Sequence, residues 1–243
     1  MENPQSSLEG KAILVTGAAR RIGRGIALRL AAEGARVGIH YLNSESEARE
    51  TAEQCGGAPL FRADLAKVTE IERMFAEVED RMGGLYGLVN NAARFSRRDP
   101  LEMSEDDWDL IMDVNLKAVF FCAQQAALLM QETGEGRIVN ISSLGGLRPW
   151  AHRVHYCAAK AGVIMVTQAL AKALAPGITV NSVAPGVIPF HDIDPEGMTM
   201  IEATPARRGG TAGEIADAVV YFMKASNFTT GQILAIDGGL SLR

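Results

Sequence analysis

The sequence predicts an α/β protein, a single-domain doubly wound parallel sheet with helices on both faces. Three observations carry that expectation. Short apolar runs rich in β-branched residues alternate with longer segments of helical period. The runs are continuously apolar rather than alternating, which suits strands buried on both faces, and strand–helix repetition closes through right-handed crossovers. A glycine-spaced turn from Gly17 to Gly23 directly follows the first run. With 243 residues, 47% of them hydrophobic, the chain can form one well-packed core. No stretch reads as a linker, so residues 1–243 are expected to form one domain.

The first strand is Ala12–Thr16, with a helix from Gly23; the second is Arg36–His40, with a helix from Ser44; the third is Leu60–Arg62, with a helix from Thr69. Further strands are expected at Gly87–Asn90, Arg137–Ile141, Thr179–Val183 and Ile233–Ile236. A long helical stretch, about Glu105–Gln131, separates the fourth and fifth strands, and another, about His155–Ala175, separates the fifth and sixth. Residues 189–210 carry Pro, Gly, Asp and Met without a period. They read as a variable substrate-covering excursion over the carboxyl ends of the strands, where such sheets bind ligands.

Composition excludes several classes. A net charge of −5, with basic pairs scattered at Arg20-Arg21, Arg97-Arg98 and Arg207-Arg208, gives no nucleic-acid surface. Cys55, Cys122 and Cys157 cannot all pair and fall in no metal spacing, which points to a reduced cytoplasmic protein without a structural metal. The first residues, Met-Glu-Asn-Pro-Gln-Ser-Ser, contain no apolar run, and no run of spanning length is expected elsewhere, so no membrane partner is expected.

The turn Thr16-Gly17-Ala18-Ala19-Arg20-Arg21-Ile22-Gly23 lies between a strand and a helix, the Rossmann-type position at which a dinucleotide pyrophosphate meets free amides and a helix dipole. Gly17 permits the tight turn and Gly23 the close packing. The second strand ends His40-Tyr41-Leu42-Asn43-Ser44, and the first carboxylate, Glu45, comes after the turn. An acid at the strand end would repel a 2′-phosphate; here Arg20 offers a fork to one and Ser44 a hydroxyl and a helix amide. NADPH is the expected cofactor. Asp64-Leu65 is placed to accept from the adenine amino group or simply to cap a loop.

The chemistry is expected from Tyr156 and Lys160, four apart on one helix face, with Ser143 thirteen residues upstream. A cation beside a phenol favours phenolate and draws a group with an ordinary pKa of ~10 toward working pH. Ser143 would hold the substrate oxygen or nitrogen.

These motifs, with Asn90-Asn91-Ala92, Asn115, Asn181 through Pro185-Gly186, and Asp237-Gly238-Gly239, resemble the short-chain dehydrogenase/reductase family over essentially the whole chain. The resemblance implies hydride transfer between nicotinamide and a substrate C=O or C=N. It implies Tyr156 as acid, Ser143 as oxygen holder, and Lys160 on the nicotinamide ribose. Asn115 would shape the long helix and hold a relay water. Asn91 and Ala92 would lie by the ribose, and Val187 and Ile188 after Pro185-Gly186 by the carboxamide. It also implies a homotetramer acting on a small molecule.

Within the family, the chain is most similar to the bacterial pteridine reductase-like group. Arg21 stands where most members have glycine, the second strand ends in His40-Tyr41, and Phe95 matches an aromatic that stacks on pterin. Trp150 would wall the substrate site. Phe190 stands where many members have a cofactor-contacting threonine, and Ser143 where many pteridine reductases have an acid. The alternatives are a 3-oxoacyl-[acyl-carrier-protein] reductase or general carbonyl reductase, and a non-catalytic NADPH sensor, which would have no need of Asn115, Ser143, Tyr156 and Lys160 together.

Overall fold

The structure, a computed structural model, describes residues 7–190 and 195–242. Seven parallel strands form one sheet: β1 (Ala12–Val15), β2 (Arg36–Tyr41), β3 (Leu60–Arg62), β4 (Gly87–Asn90), β5 (Gly136–Ile141), β6 (Ile178–Pro185) and β7 (Ile233–Ile236). Their order is β3-β2-β1-β4-β5-β6-β7. The chain steps outward through β2 and β3, then returns to place β4 on the other side of β1, with Ile13 opposite both Val37 and Gly87. That reversal opens a crevice above the carboxyl ends of β1 and β4.

The strands are buried on both faces because helices cover both. Against one face pack α1 (Arg21–Ala32), α2 (Glu45–Gln54) and α8 (Ala212–Lys224), joining Ile13, Val15, Val37 and Val89 to Ile26, Leu30, Ala48, Val219 and Phe222. Against the other pack α3 (Val68–Met82), α5 (Ala118–Gln131) and α6 (Val154–Leu174). In α3, Ile71, Met74, Phe75, Val78 and Met82 recur at helical spacing and are all buried. Gly83, left-handed at φ 64°, stops that helix.

The helical stretch expected at about Glu105–Gln131 is present, built of α4 (Glu105–Met112), a single π-turn over Asp113–Lys117, and α5. Two expectations need correction, and one helix lies outside the expected elements. The excursion contains a helix of its own, α7 (Pro195–Ala203), too short and too weakly amphipathic for periodicity to reveal; residues 191–194 lie outside the described residues. One helix does reach spanning length: α6 has 21 residues and an 18-residue window of mean hydropathy 1.3. One side of it, with Tyr156, Ala159, Val163 and Ala171, is buried, while Val154 and Met165 are exposed. Helix α8 (Ala212–Lys224) has no counterpart among the expected elements; elsewhere the differences are of one or two residues, as in α1, which begins at Arg21 rather than Gly23.

Candidate active site

The crevice is a cavity of about 590 Å³, lined by the glycine turn, the ends of β2 and β4, Ser143, Tyr156, Lys160 and the segment after β6. Its construction starts at Gly17, whose φ of 62° favours glycine and where a Cβ would come within 2.9 Å of the Ala92 backbone. At Gly23 a Cβ would lie 2.1 Å from the Gly17 carbonyl. Arg21 takes a left-handed φ of 55° without being glycine, and its guanidinium lies over the Phe190 ring at 5.5 Å.

The turn is fastened by the chain's own side chains. The Gly17 amide donates to His40 Nδ1 at 3.0 Å and the Ala18 amide to the His40 carbonyl at 2.9 Å. Because Nδ1 accepts, the ring carries its proton on Nε2, 3.1 Å from the Ala63 carbonyl that receives it. Burial pushes the pKa of His40 down to about 4, partly opposed by that bond to Ala63. Thr16 Oγ1 accepts from the amides of Asn91 and Ala92, and Asn91 Nδ2 donates to the carbonyls of Thr16 and Gly17. Asn91, expected at the ribose, lines the cavity while its amide group braces the turn.

At the end of β2, Tyr41, Asn43 and Ser44 line the cavity. Glu45 turns away along α2, where Arg49 Nη2 holds it at 2.5 Å. Arg20 is exposed, its backbone extended, and it also lines the cavity with Ile22, Asp64, Leu65 and Ala92. Asp64 Oδ1 accepts from the Ala66 amide at 3.1 Å, so the carboxylate caps its own loop.

Ser143, Tyr156 and Lys160 come together at the other end. Ser143, two residues past β5, is extended and caps the turn Leu144–Gly146, its Oγ accepting from the Gly145 amide at 3.0 Å. The expected lowering of the phenol pKa by Lys160 is corrected here. Burial pushes Tyr156 up to about 12, a hydrogen bond with Ser143 opposing it, and Lys160 makes no such contribution. The Lys160 ammonium donates to the Ile141 carbonyl at 2.8 Å, sits 5.8 Å from the Tyr156 ring centre, and is itself brought down to about 8 by burial.

Asn115 is fully buried in the π-turn and does not line the cavity. Its side chain clasps the backbone of Arg94, accepting from the amide at 2.7 Å and donating to the carbonyl at 2.8 Å. Phe95 lines the cavity, 58% exposed, with its ring edge-on to Tyr156 at 4.8 Å. Trp150 lies outside the lining, stacked parallel to Tyr156 at 6.1 Å. Pro185, Gly186 and Ile188 line the cavity; Val187 does not, and its carbonyl receives the Gly210 amide at 2.9 Å.

Sequence reasoning missed the Arg94 and Val114 linings and the buried chain Asn90–Asn140–Thr167, with links of 2.9 Å, which ties β4 and β5 to α6 behind the site. Asn90 was visible as a motif letter, but its partners, the Val119 carbonyl and Asn140, lie 29 and 50 residues away. Among the described residues no cluster of metal-ligating side chains occurs and all three cysteines are free.

A parallel sheet with a glycine turn at its switch point and a buried Ser–Tyr–Lys group across the same cavity defines a dinucleotide-binding oxidoreductase. Residues 17–241 match the family model described as enoyl-(acyl carrier protein) reductase. The chain is 38% identical over 241 residues to the 3-oxoacyl-[acyl-carrier-protein] reductase FabG of Staphylococcus epidermidis, covering 95% of this chain and 98% of that protein. It is similar to a gluconate 5-dehydrogenase from Burkholderia cenocepacia solved with NADP and tartrate, at 32% identity, 98% coverage of both chains and a TM-score of 0.92. A Serratia marcescens short-chain dehydrogenase/reductase variant matches at 33% identity over 96% of this chain and 99% of that one, with a TM-score of 0.90. The chain belongs to the short-chain dehydrogenase/reductase family and is an oxidoreductase using NAD(P)(H). The pteridine reductase-like expectation finds no support among these relatives; the acyl-carrier alternative does.

Proposed function

We propose that this protein is an NADPH-dependent reductase of carbonyl groups, acting on 3-oxoacyl thioesters or closely related β-keto compounds. One observation carries the reading. The group facing the reaction end is a pair of neutral hydroxyls, Ser143 and Tyr156, and the only carboxylate lining the cavity among the described residues is Asp64, on the loop after β3 at the cofactor end. Two hydroxyls can hold a keto oxygen and protonate it as it gains charge, and the acid that many pteridine reductases carry at the Ser143 position is absent here. The relatives' names supply the thioester class.

The residues present fit a dinucleotide phosphate, since Gly17 and Gly23, where a Cβ would meet Ala92 and the Gly17 carbonyl, hold the turn tight at the start of α1, whose first amides would receive it. Bound there, the cofactor supplies the hydride. Ser143 Oγ–H donates to the substrate carbonyl and fixes its orientation. Tyr156, with its pKa held at about 12, keeps its proton at neutral pH and releases it to the stronger base that the carbonyl oxygen becomes as negative charge develops. Lys160, fixed on the Ile141 carbonyl, keeps a positive charge in the buried site below pH of about 8. Preference for NADPH rests on the exposed, acid-free Arg20 and on Glu45 being held by Arg49.

Exposed apolar side chains on the outer helices, Trp108, Leu110, Phe120, Leu128 and Met165, support a homotetramer, which light scattering checks. A cytoplasmic location agrees with three unpaired cysteines. The test of function is NADPH consumption with an acetoacetyl thioester. Turnover is expected; consumption with a dihydropterin but with no β-keto compound would overturn the reading.

A further inference from the structure

Arg153 stands three residues before the catalytic tyrosine, at the N-cap of α6, and is 4% exposed. A buried arginine outside the reacting group needs a reason, and its surroundings give one. Its guanidinium lies 4.7 Å from the centre of the Phe95 ring and 5.8 Å from that of Trp150. Those rings in turn touch Tyr156 from two directions, Phe95 edge-on and Trp150 face-on. On its far side Arg153 Nη1 donates to the Glu196 carboxylate, and Glu196 belongs to the first turn of α7. That bond is the only ion pair reaching α7 among the described residues, and no side chain of α7 is buried. A second tie holds the same wall: Ser96 Oγ and His155 Nε2 are 2.9 Å apart, joining the residue after Phe95 to the residue before Tyr156.

We propose that Arg153 is a positioning and specificity-determining residue that joins the covering helix α7 to the Phe95–Trp150–Tyr156 wall, so that the Arg153–Glu196 pair sets how wide the substrate mouth stands. The assignment rests on the carbonyl-reductase reading for its substrates but not for its geometry. A guanidinium suits the task because it stacks its flat face on rings while its edge donates in plane to a carboxylate, which a lysine ammonium cannot do together. Removing the Glu196 charge frees α7 from the wall, and removing the guanidinium face frees Phe95 as well. Neither change touches the Gly17–Gly23 turn or the Ser143 and Lys160 contacts.

The test uses the full-length protein with Glu196→Gln and Arg153→Lys, and Glu77→Gln in the exposed Arg73–Glu77 pair as control. Hydrogen exchange is read with no substrate present. Glu196→Gln should speed exchange across 195–203 and also across 94–98, while Glu77→Gln changes neither. Kinetics with acetoacetyl thioesters of short and long acyl chains should show KM for the short substrate raised by about fivefold, the upper end for an ion pair with one solvent-facing partner, here Glu196. kcat and the dissociation constant of NADPH should be unchanged, and the preference between chain lengths should shift toward the longer. Arg153→Lys should retain the exchange protection of 195–203 but lose that of 94–98. Unaltered exchange in 94–98 with Glu196→Gln, or kcat falling while KM and chain-length preference stay fixed, overturns the proposal. A wild-type protein that reduces no β-keto compound overturns the carbonyl reading instead, and the exchange results still decide the role of Arg153.

Discussion

The two ends of the cavity are built in opposite ways. At the cofactor end, Gly17, Thr16, Asn91 and His40 satisfy one another's backbone groups through bonds of about 3 Å, so the turn is finished by the chain itself. At the end that we propose receives substrate, Phe95 is more than half exposed, and Arg153 beside it is tied to α7, which buries no side chain. The difference teaches where specificity can drift: the cofactor end is fixed by steric exclusion and hydrogen bonding, which tolerate few substitutions, while the substrate end is held by ring contacts and an ion pair.

The largest expected effect separates chemistry from binding. Tyr156→Phe should lower kcat by about 10²–10⁴ while NADPH affinity, followed by fluorescence, stays within twofold. A comparable loss in both would erase the distinction between the two ends. Next, Arg20→Ala should cut the ratio of kcat/KM for NADPH over NADH by roughly tenfold to a hundredfold, the worth of a charged hydrogen bond. An unchanged ratio removes Arg20 from phosphate recognition.

His40→Ala should leave the part-buried Gly17 amide without its side-chain acceptor, costing ~0.5–1.5 kcal/mol in denaturant stability. The wild-type imidazole adds a pH dependence with a defined sign. The unfolded chain binds a proton near 6.5 that the folded chain refuses until about 4. Stability therefore falls as pH drops through that window, by up to ~3 kcal/mol from this group, and is unaffected by it above 6.5. Smallest of all, Phe95→Ala should leave the NADPH dissociation constant within twofold while shifting substrate KM by a few-fold, the ~0.5–1.5 kcal/mol scale of ring contacts.

Much of this was legible in the letters. The alternation of apolar runs with helical segments gave strand and helix order, because strands covered on both faces must be continuously apolar. Spacing also brought Ser143, Tyr156 and Lys160 to one place. Electrostatics was not legible: proximity suggested that Lys160 lowers the phenol pKa, but burial dominates both groups and the ammonium faces Ile141. The letters that suggested a pterin were read for the wrong property. Arg21 takes a left-handed turn and rests on Phe190, and His40 clamps the glycine turn, so both report how the cofactor end is built. Asn115 was expected to shape the long helix and hold a relay water; its side chain fastens the Arg94 backbone from a π-turn that no periodicity reveals. Arg153 carries no motif at all, since Phe95 and Glu196, two of its partners, lie 58 residues before it and 43 after.

The claim that the cofactor end is complete without a ligand is tested most directly by an NMR titration of the His40 imidazole in the ligand-free protein, its signal among the four histidines assigned with His40→Ala. The ring should remain neutral and protonated on Nε2 from pH 8 downward, with a midpoint of about 4. A midpoint near 6.5, or a proton on Nδ1, would mean that His40 does not accept from Gly17 and that the turn is not fastened until the cofactor arrives.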